Sequence, residues 1–362
     1  MNNLLLLLLL IFTIAFPVGA QVPTPLPSPS QTFSGVEEPI RFTNLQANVT
    51  LAGTLVLPQG NGPFPAAIFL CGGGPGGRNP SLFSFAEILA ERGIAVLLYD
   101  KRGIGESTGD FKSSHYPEFQ KDADAAFEFL KQHSKIDPKK VGFIGHSEGG
   151  MITEMIAAER SDIAFAVLLA APGLRSDRLR ALQGIQESKA YGVDQKVLTR
   201  VKQIMSEALP MLETEKDPQV ARQKLHDILT EGYTNLDDKE KNQLRNVLEM
   251  DNETIEEKAT APWYRQFLVW DPTPYLKKIR CPVLALNGDK DIAVVYPQNF
   301  EAIEKALKEG GNKDYTLKMF PNINHLFQRC VTGAPTENLP YQFTFARDVI
   351  PFLGDWLVKH LK

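Results

Sequence analysis

The chain has 362 residues, 43% of them hydrophobic and 23% charged, with a formal net charge of −4. That is a globular composition, long enough for one large core or two modest ones. No Lys/Arg-rich block stands out, which excludes a nucleic-acid-binding protein working through a concentrated basic face.

At the N-terminus, residues 4–16 are apolar apart from Thr13, and Val18-Gly19-Ala20 puts small residues where a signal peptidase reads. The run is shorter than the roughly 20 residues a membrane span needs. The sequence therefore predicts a signal peptide over residues 1–20, cleaved after Ala20, and a secreted or periplasmic chain with no stable membrane insertion. Met1-Asn2-Asn3 lacks the usual Lys or Arg, and a retained anchor is the competing reading. Residues 21–35 are rich in Pro, Ser and Thr and read as an extended tether.

From Val36 the pattern becomes that of a folded domain. Ile40-Arg41-Phe42 and residues 51–57 are strand-like, as is the apolar run 66–70, which ends in a glycine loop. A helix is expected over 82–92, a strand over 94–99 and an amphipathic helix over 119–133. A strand at 141–144, a helix at 148–159 and a strand at 163–169 follow. Short apolar runs separated by helices are the mark of a mostly parallel sheet covered on both faces. The rhythm breaks over residues 173–270, where apolar residues recur at helical spacing: Val197, Leu198, Val201, Ile204 and Met205 are one such stripe. The sheet pattern resumes with a strand at 283–286, a helix at 298–307, a strand at 315–320 and a last helix ending near Leu361. The expected organisation is a core of residues 36–172 and 271–362, with a helical cap of residues 173–270 inserted into it.

The segment that carries chemistry is Val141-Gly142-Phe143-Ile144-Gly145-His146-Ser147-Glu148-Gly149-Gly150. A Gly-x-Ser-x-Gly between a strand and a helix lets the chain turn sharply and raise the serine hydroxyl above the sheet edge. The helix that follows points its N-terminus at developing negative charge. A nucleophilic serine needs a base, and six histidines are available. His226 falls inside the insertion and His360 in the terminal helix. His325 lies in the loop after strand 315–320, where a base following the nucleophile and the acid belongs. His146, beside Ser147, reads as structural. The acid is expected after strand 283–286; Asp291 is chosen because it lies past the turn at Gly288, with Asp289 as the rival. The backbone N–H groups of Glu148 and Gly73 are the expected oxyanion donors. The loop Cys71 to Gly77 lacks the Gly-Lys-Ser/Thr of a nucleotide site.

These motifs resemble those of the bacterial α/β-hydrolases known as carboxylesterases or serine-aminopeptidase-like hydrolases. The matching pieces are Leu51-Ala52-Gly53-Thr54-Leu55, Gly72-Gly73-Gly74-Pro75, the run from Tyr99-Asp100-Lys101-Arg102 to Gly105, Gly145 to Gly150, Pro282 to Gly288 and Asn324-His325-Leu326-Phe327. The resemblance implies an α/β-hydrolase fold, with a mostly parallel sheet of about eight strands flanked by helices and an inserted helical cap. It implies hydrolysis of short acyl esters of small molecules, without cofactor or metal. A peptidase, a thioesterase and a non-catalytic protein on the same fold are the alternatives. Cys71 departs from the pattern, since relatives often carry His or Ser there.

Other residues keep two readings at this stage. Asp100, Lys101 and Arg102 suit a salt-bridged loop under the nucleophile better than substrate binding. Trp263, Tyr264, Phe267 and Trp270 suit ordinary packing of the insertion as well as a substrate pocket, for which Trp263, Tyr264 and Phe267 are the named candidates. Of the three cysteines, Cys281 and Cys330 are expected near one face of the sheet; a bridge between them and free thiols both stay open. No His-Glu-x-x-His or Cys-x-x-Cys points to a metal.

Overall fold

The computed structural model describes residues 33–248, 252–334, 337 and 345–361. The expected signal peptide and nearly all of the tether lie outside the described residues.

Eight strands form one sheet: β1 (Val36–Asn44), β2 (Val49–Leu57), β3 (Phe64–Leu70), β4 (Ala95–Tyr99), β5 (Ile136–His146), β6 (Ala166–Leu169), β7 (Val283–Gly288) and β8 (Tyr315–Phe320). Their order is β1-β2-β4-β3-β5-β6-β7-β8. β2 is antiparallel to β1 and β4, and all pairs from β4 to β8 are parallel. Every residue of β4, β6 and β7 is buried, as expected for strands with helices on both faces. On the β1 edge, exposure alternates instead.

Helices α1 (Pro80–Ala90), α2 (Tyr116–Gln132) and α3 (Glu148–Glu159) join the first parallel strands. Each start has a local cause. Asn79 accepts from the Ser81 and Leu82 N–H groups, with Pro80 opening α1. The Glu118 carboxylate accepts from the His115 N–H at the start of α2. α2 and α3 pack on one face of the sheet, in a cluster that includes Phe127, Phe143, Ile152 and Ile156. On the other face α1 packs with the last helix, α12 (Val349–Leu361), through Phe85, Leu89, Leu353 and Leu357.

Between β6 and β7 the chain makes six consecutive helices: α4 (Ser176–Ala190), α5 (Gln195–Thr214), α6 (Pro218–Gly232), α7 (Asp238–Leu248), α8 (Asn252–Ala259) and α9 (Pro262–Leu268). A one-turn α10 (Thr273–Leu276) leads into β7, and α11 (Tyr296–Glu309) joins β7 to β8. The stripe Val197, Leu198, Val201, Ile204 and Met205 is buried along α5. The inserted helices share an apolar cluster of their own, which Met151 of α3 and Val294, after β7, join from the core. The insertion therefore packs against the ends of α3 and β7.

The cysteines are free thiols. Cys281 precedes β7, whereas the Cys330 N–H donates to Asn322 O beyond the end of β8. β7 and β8 run parallel and in register. The two cysteines thus sit at opposite ends of these strands, separated by on the order of 20 Å of strand length, far beyond the span of a disulfide. Of the two readings left open, a bridge and free thiols, the structure shows free thiols.

Glu154 of α3 is fully buried, and neither of its carboxylate oxygens has a partner. Burial pushes its pKa well above the usual carboxylate range. Burial thus favours the neutral carboxyl in the folded chain, whereas the unfolded chain ionises in the ordinary carboxylate range. Its contribution to stability is therefore intact below the unfolded pKa and is lost as pH rises toward the folded value. Glu154→Gln should raise the melting temperature by roughly 3 °C or more at pH 8 and by much less at pH 4.5; thermal denaturation at the two pH values checks this.

Candidate active site

Strand order reverses between β3 and β5, and at such a point the loops leaving the strand ends part to form a crevice. The glycine loop leaves β3, Ser147 follows β5, Asp291 follows β7 and His325 follows β8. Parallel pairing brings these loops to one edge of the sheet.

Ser147 has φ 56° and ψ −117°, in the region that disfavours side chains. The packing around it explains the flanking glycines. A Cβ on Gly145 would lie 2.2 Å from Gly149 O, and one on Gly149 would lie 2.0 Å from Leu70 O. The Ser147 N–H donates to Leu169 O at 2.8 Å, which pins the turn to the neighbouring strand.

Ser147 Oγ lies 2.8 Å from His325 Nε2, and His325 Nδ1 lies 2.8 Å from Asp291 Oδ2. The carboxylate requires Nδ1 to carry the proton, so Nε2 accepts from the Ser147 hydroxyl. Asp291 is held in turn, because its Oδ1 accepts from the Ala293 and Val294 N–H groups at 2.9 and 2.8 Å. Asp289, the rival acid, accepts from the Asn322 N–H at 2.6 Å and so ties the base loop instead. His226 lies elsewhere, on Glu256, as does His360, on Asp314 and Trp356.

His146 does more than the sequence suggests. Its Nε2 donates to the backbone oxygen of His325 at 2.9 Å, linking the nucleophile turn to the base loop. Burial and the nearby His325 push its pKa down to about 3, so it remains neutral near pH 7. On its other side, a Cβ on Gly72 would lie 3.0 Å from His146 Nδ1 and 3.4 Å from Ser147 Cβ. The glycine loop is therefore packed directly on Ser147. Glu148 opens α3, and the first N–H groups of a helix have no partner within it. Gly73 lies in the glycine loop between Gly72 and Gly74, whose carbonyls both accept from Lys101 Nζ. Cys71 is no rival nucleophile, since burial pushes its thiol up to about 11.

The substrate-contact candidates come out differently. Tyr264 and Phe267 are 1% and 0% exposed and lie in the apolar core of the insertion, where packing with neighbouring helices leaves them no surface on an open pocket. The Trp263 side chain falls outside the described residues. Trp270 belongs to the same cluster and stacks on Tyr275 with ring centroids 6.2 Å apart.

A family described as serine aminopeptidase, S33, matches residues 66–329. The chain belongs to this α/β-hydrolase family. An esterase of Thermotoga maritima is 27% identical over 325 residues, covering 85% of this chain and 66% of its own length. The chain thus spans just under two thirds of that relative. Among solved structures, an α/β hydrolase from a Penicillium species aligns with a TM-score of 0.56 at 19% identity, covering 90% of this chain and 99% of that one. A Pyrococcus furiosus esterase aligns with a TM-score of 0.54 at 16% identity, covering 94% and 99%. At such identities the structures establish the fold.

The membership agrees with the resemblance carried by the motifs. The reading of Asp100, Lys101 and Arg102 as a salt-bridged loop agrees with their pairing to Arg78, Glu148 and Asp122. Motif reading missed Asn287, whose side chain donates to Val294 O at 2.8 Å and steadies the turn around Asp291; its place at the end of the β7 run was the available signal.

The two aspartates give a direct test. Asp291→Asn should slow labelling by a fluorophosphonate about 10³-fold or more, because the imidazole loses its tautomer and its counter-charge. Asp289→Asn should slow it by no more than about threefold. Labelling time courses with the two purified variants compare them.

Proposed function

We propose that the protein is a serine hydrolase that cleaves carboxylic esters with short acyl chains. The observation that carries this reading is the continuous chain from Ser147 Oγ through His325 to Asp291, with 2.8 Å at each link. His325 takes the hydroxyl proton as Ser147 Oγ attacks the ester carbonyl. The N–H groups of Glu148 and Gly73 stabilise the tetrahedral oxyanion. His325 returns the proton to the departing alcohol. A water molecule, deprotonated by the same imidazole, then releases the acid and restores Ser147.

An ester suits the site better than a peptide with a free amine, which would need carboxylates converging near the nucleophile. Among the described residues the three acids first considered stand apart: Glu187 is buried on α4 and accepts from Gln183, while Glu207 and Glu257 are exposed on α5 and α8. The Thermotoga relative bears the name esterase. A short acyl chain suits a nucleophile that is 0% exposed, since little room surrounds the attacking oxygen. Met151 and Val294 carry the insertion onto the segments that hold Ser147 and Asp291, which supports reading residues 173–270 as a cap that forms one wall of the site. Among the described residues no helix is long and apolar enough to cross a membrane. The N-terminal sequence supports export by a cleaved signal peptide.

Ser147→Ala should lower turnover of p-nitrophenyl esters by about 10⁴-fold or more without unfolding the chain. With the unsubstituted protein, acetate and butyrate esters should be cleaved faster than laurate or palmitate esters, and faster than aminoacyl anilides. A preference for long chains would contradict the acyl assignment, and faster anilide cleavage would favour a peptidase.

A further inference from the structure

We propose that Lys101 is a positioning residue that sets the oxyanion hole, an inference that rests on the serine-hydrolase reading above. The lysine is 8% exposed. It follows β4, which lies beside β3 in the sheet, so its side chain reaches beneath the glycine loop. Its ammonium has three protons, and it meets three acceptors: Gly72 O at 2.6 Å, Gly74 O at 3.3 Å and Glu148 Oε1 at 2.9 Å. The rings of Phe111 and Phe119 lie 5.7 and 5.2 Å from it and favour the cation.

Two consequences bear on the oxyanion. In a trans peptide the carbonyl and the next N–H point in opposite directions. Holding Gly72 O on Lys101 therefore turns the Gly73 N–H away from the lysine, while Gly72 itself packs against Ser147. The loop is gripped further along as well: the Lys101 N–H donates to Gly76 O at 3.2 Å, and the Arg78 N–H donates to Asp100 at 2.9 Å. The second consequence is electrostatic. Glu148 supplies the other N–H, yet its carboxylate, so close to the nucleophile, would oppose an oxyanion. Lys101 holds that carboxylate and offsets its charge in a poorly hydrated place, where the pairing has most effect. One side chain thus orients both donor segments and cancels the charge that would work against them.

A lysine that only stabilised the fold would lower the amount of active protein and leave each folded molecule unchanged. The test therefore counts active sites by fluorophosphonate titration and expresses kcat per titrated site. Lys101→Met should lower kcat about 100-fold with KM within about threefold, since the contact matters mainly in the transition state. Binding of a trifluoromethyl ketone, which forms a tetrahedral adduct on the serine, should weaken by a similar factor. Lys101→Met leaves the half-buried Glu148 without its partner, so the double variant Lys101→Met/Glu148→Gln guards against misfolding. It should remain at least about tenfold below the unsubstituted protein in kcat, because the Gly72 and Gly74 carbonyls have lost their donor. Unchanged kcat per titrated site in the double variant, or unchanged ketone affinity in the folded single variant, would overturn the role of Lys101 alone. Unsubstituted protein that neither reacts with the fluorophosphonate nor cleaves esters would overturn the hydrolase reading and this inference with it.

Discussion

The close approach of backbone to backbone beneath Ser147 is the constraint on which the site depends. The start of α3 lies so near the end of β3 that no side chain fits at Gly149, and the turn closes so tightly that none fits at Gly145. This contact places the N-terminus of α3, the glycine loop and the serine within reach of one another. It also forces Ser147 into a positive φ, a local cost sustained because strands on both sides are buried and paired. Relaxing the turn would lower the serine toward the sheet and part it from His325.

Around this contact the loops are held by polar groups. Asp100 and Arg78 form a buried pair, with a nitrogen–oxygen distance of 2.6 Å, at the far end of the glycine loop. Arg102 pairs at 2.6 Å with Asp122 on α2. Lys101, between those residues in sequence, turns toward Glu148. Three consecutive charged residues thus bind three different elements. Buried pairs of this kind add little net stability relative to apolar replacements, but removing one member is costly. They hold loops in one arrangement where an apolar contact would allow several. On the other side, His146 and Asp289 perform the same service for the loop that carries His325.

How much of this the sequence discloses depends on whether the cause is local. The β4 run and residues 283–286 of β7 are apolar and short, so burial on both faces was legible. β5 begins earlier than its apolar run: Ile136 is buried and pairs with Phe64, and the exposed or half-buried Asp137 to Lys140 between it and Val141 hid that start. The sharp turn at Ser147 was legible because such a turn demands glycines at fixed spacing. That His325 and Asp291 lie in the loops after β8 and β7 was legible from chain order, though only the folded loop puts Asp291 rather than Asp289 against His325. The contacts of Lys101 and His146 were not, since they join residues 27 to 179 positions apart. The aromatic residues of the insertion misled for a related reason. Tyr264 and Phe267 have the composition of a pocket wall, but a helical insertion needs a core of its own, and these side chains fill it.

The central claim is that Ser147, activated by His325, is the group that attacks substrate. It is tested most directly by treating the protein with a fluorophosphonate, digesting it and locating the adduct by mass spectrometry. The account predicts a stoichiometric adduct on the peptide containing Ser147, formed much more slowly in the His325→Ala variant. An adduct confined to a different residue, or equal reaction at Ser147 with and without His325, would contradict it.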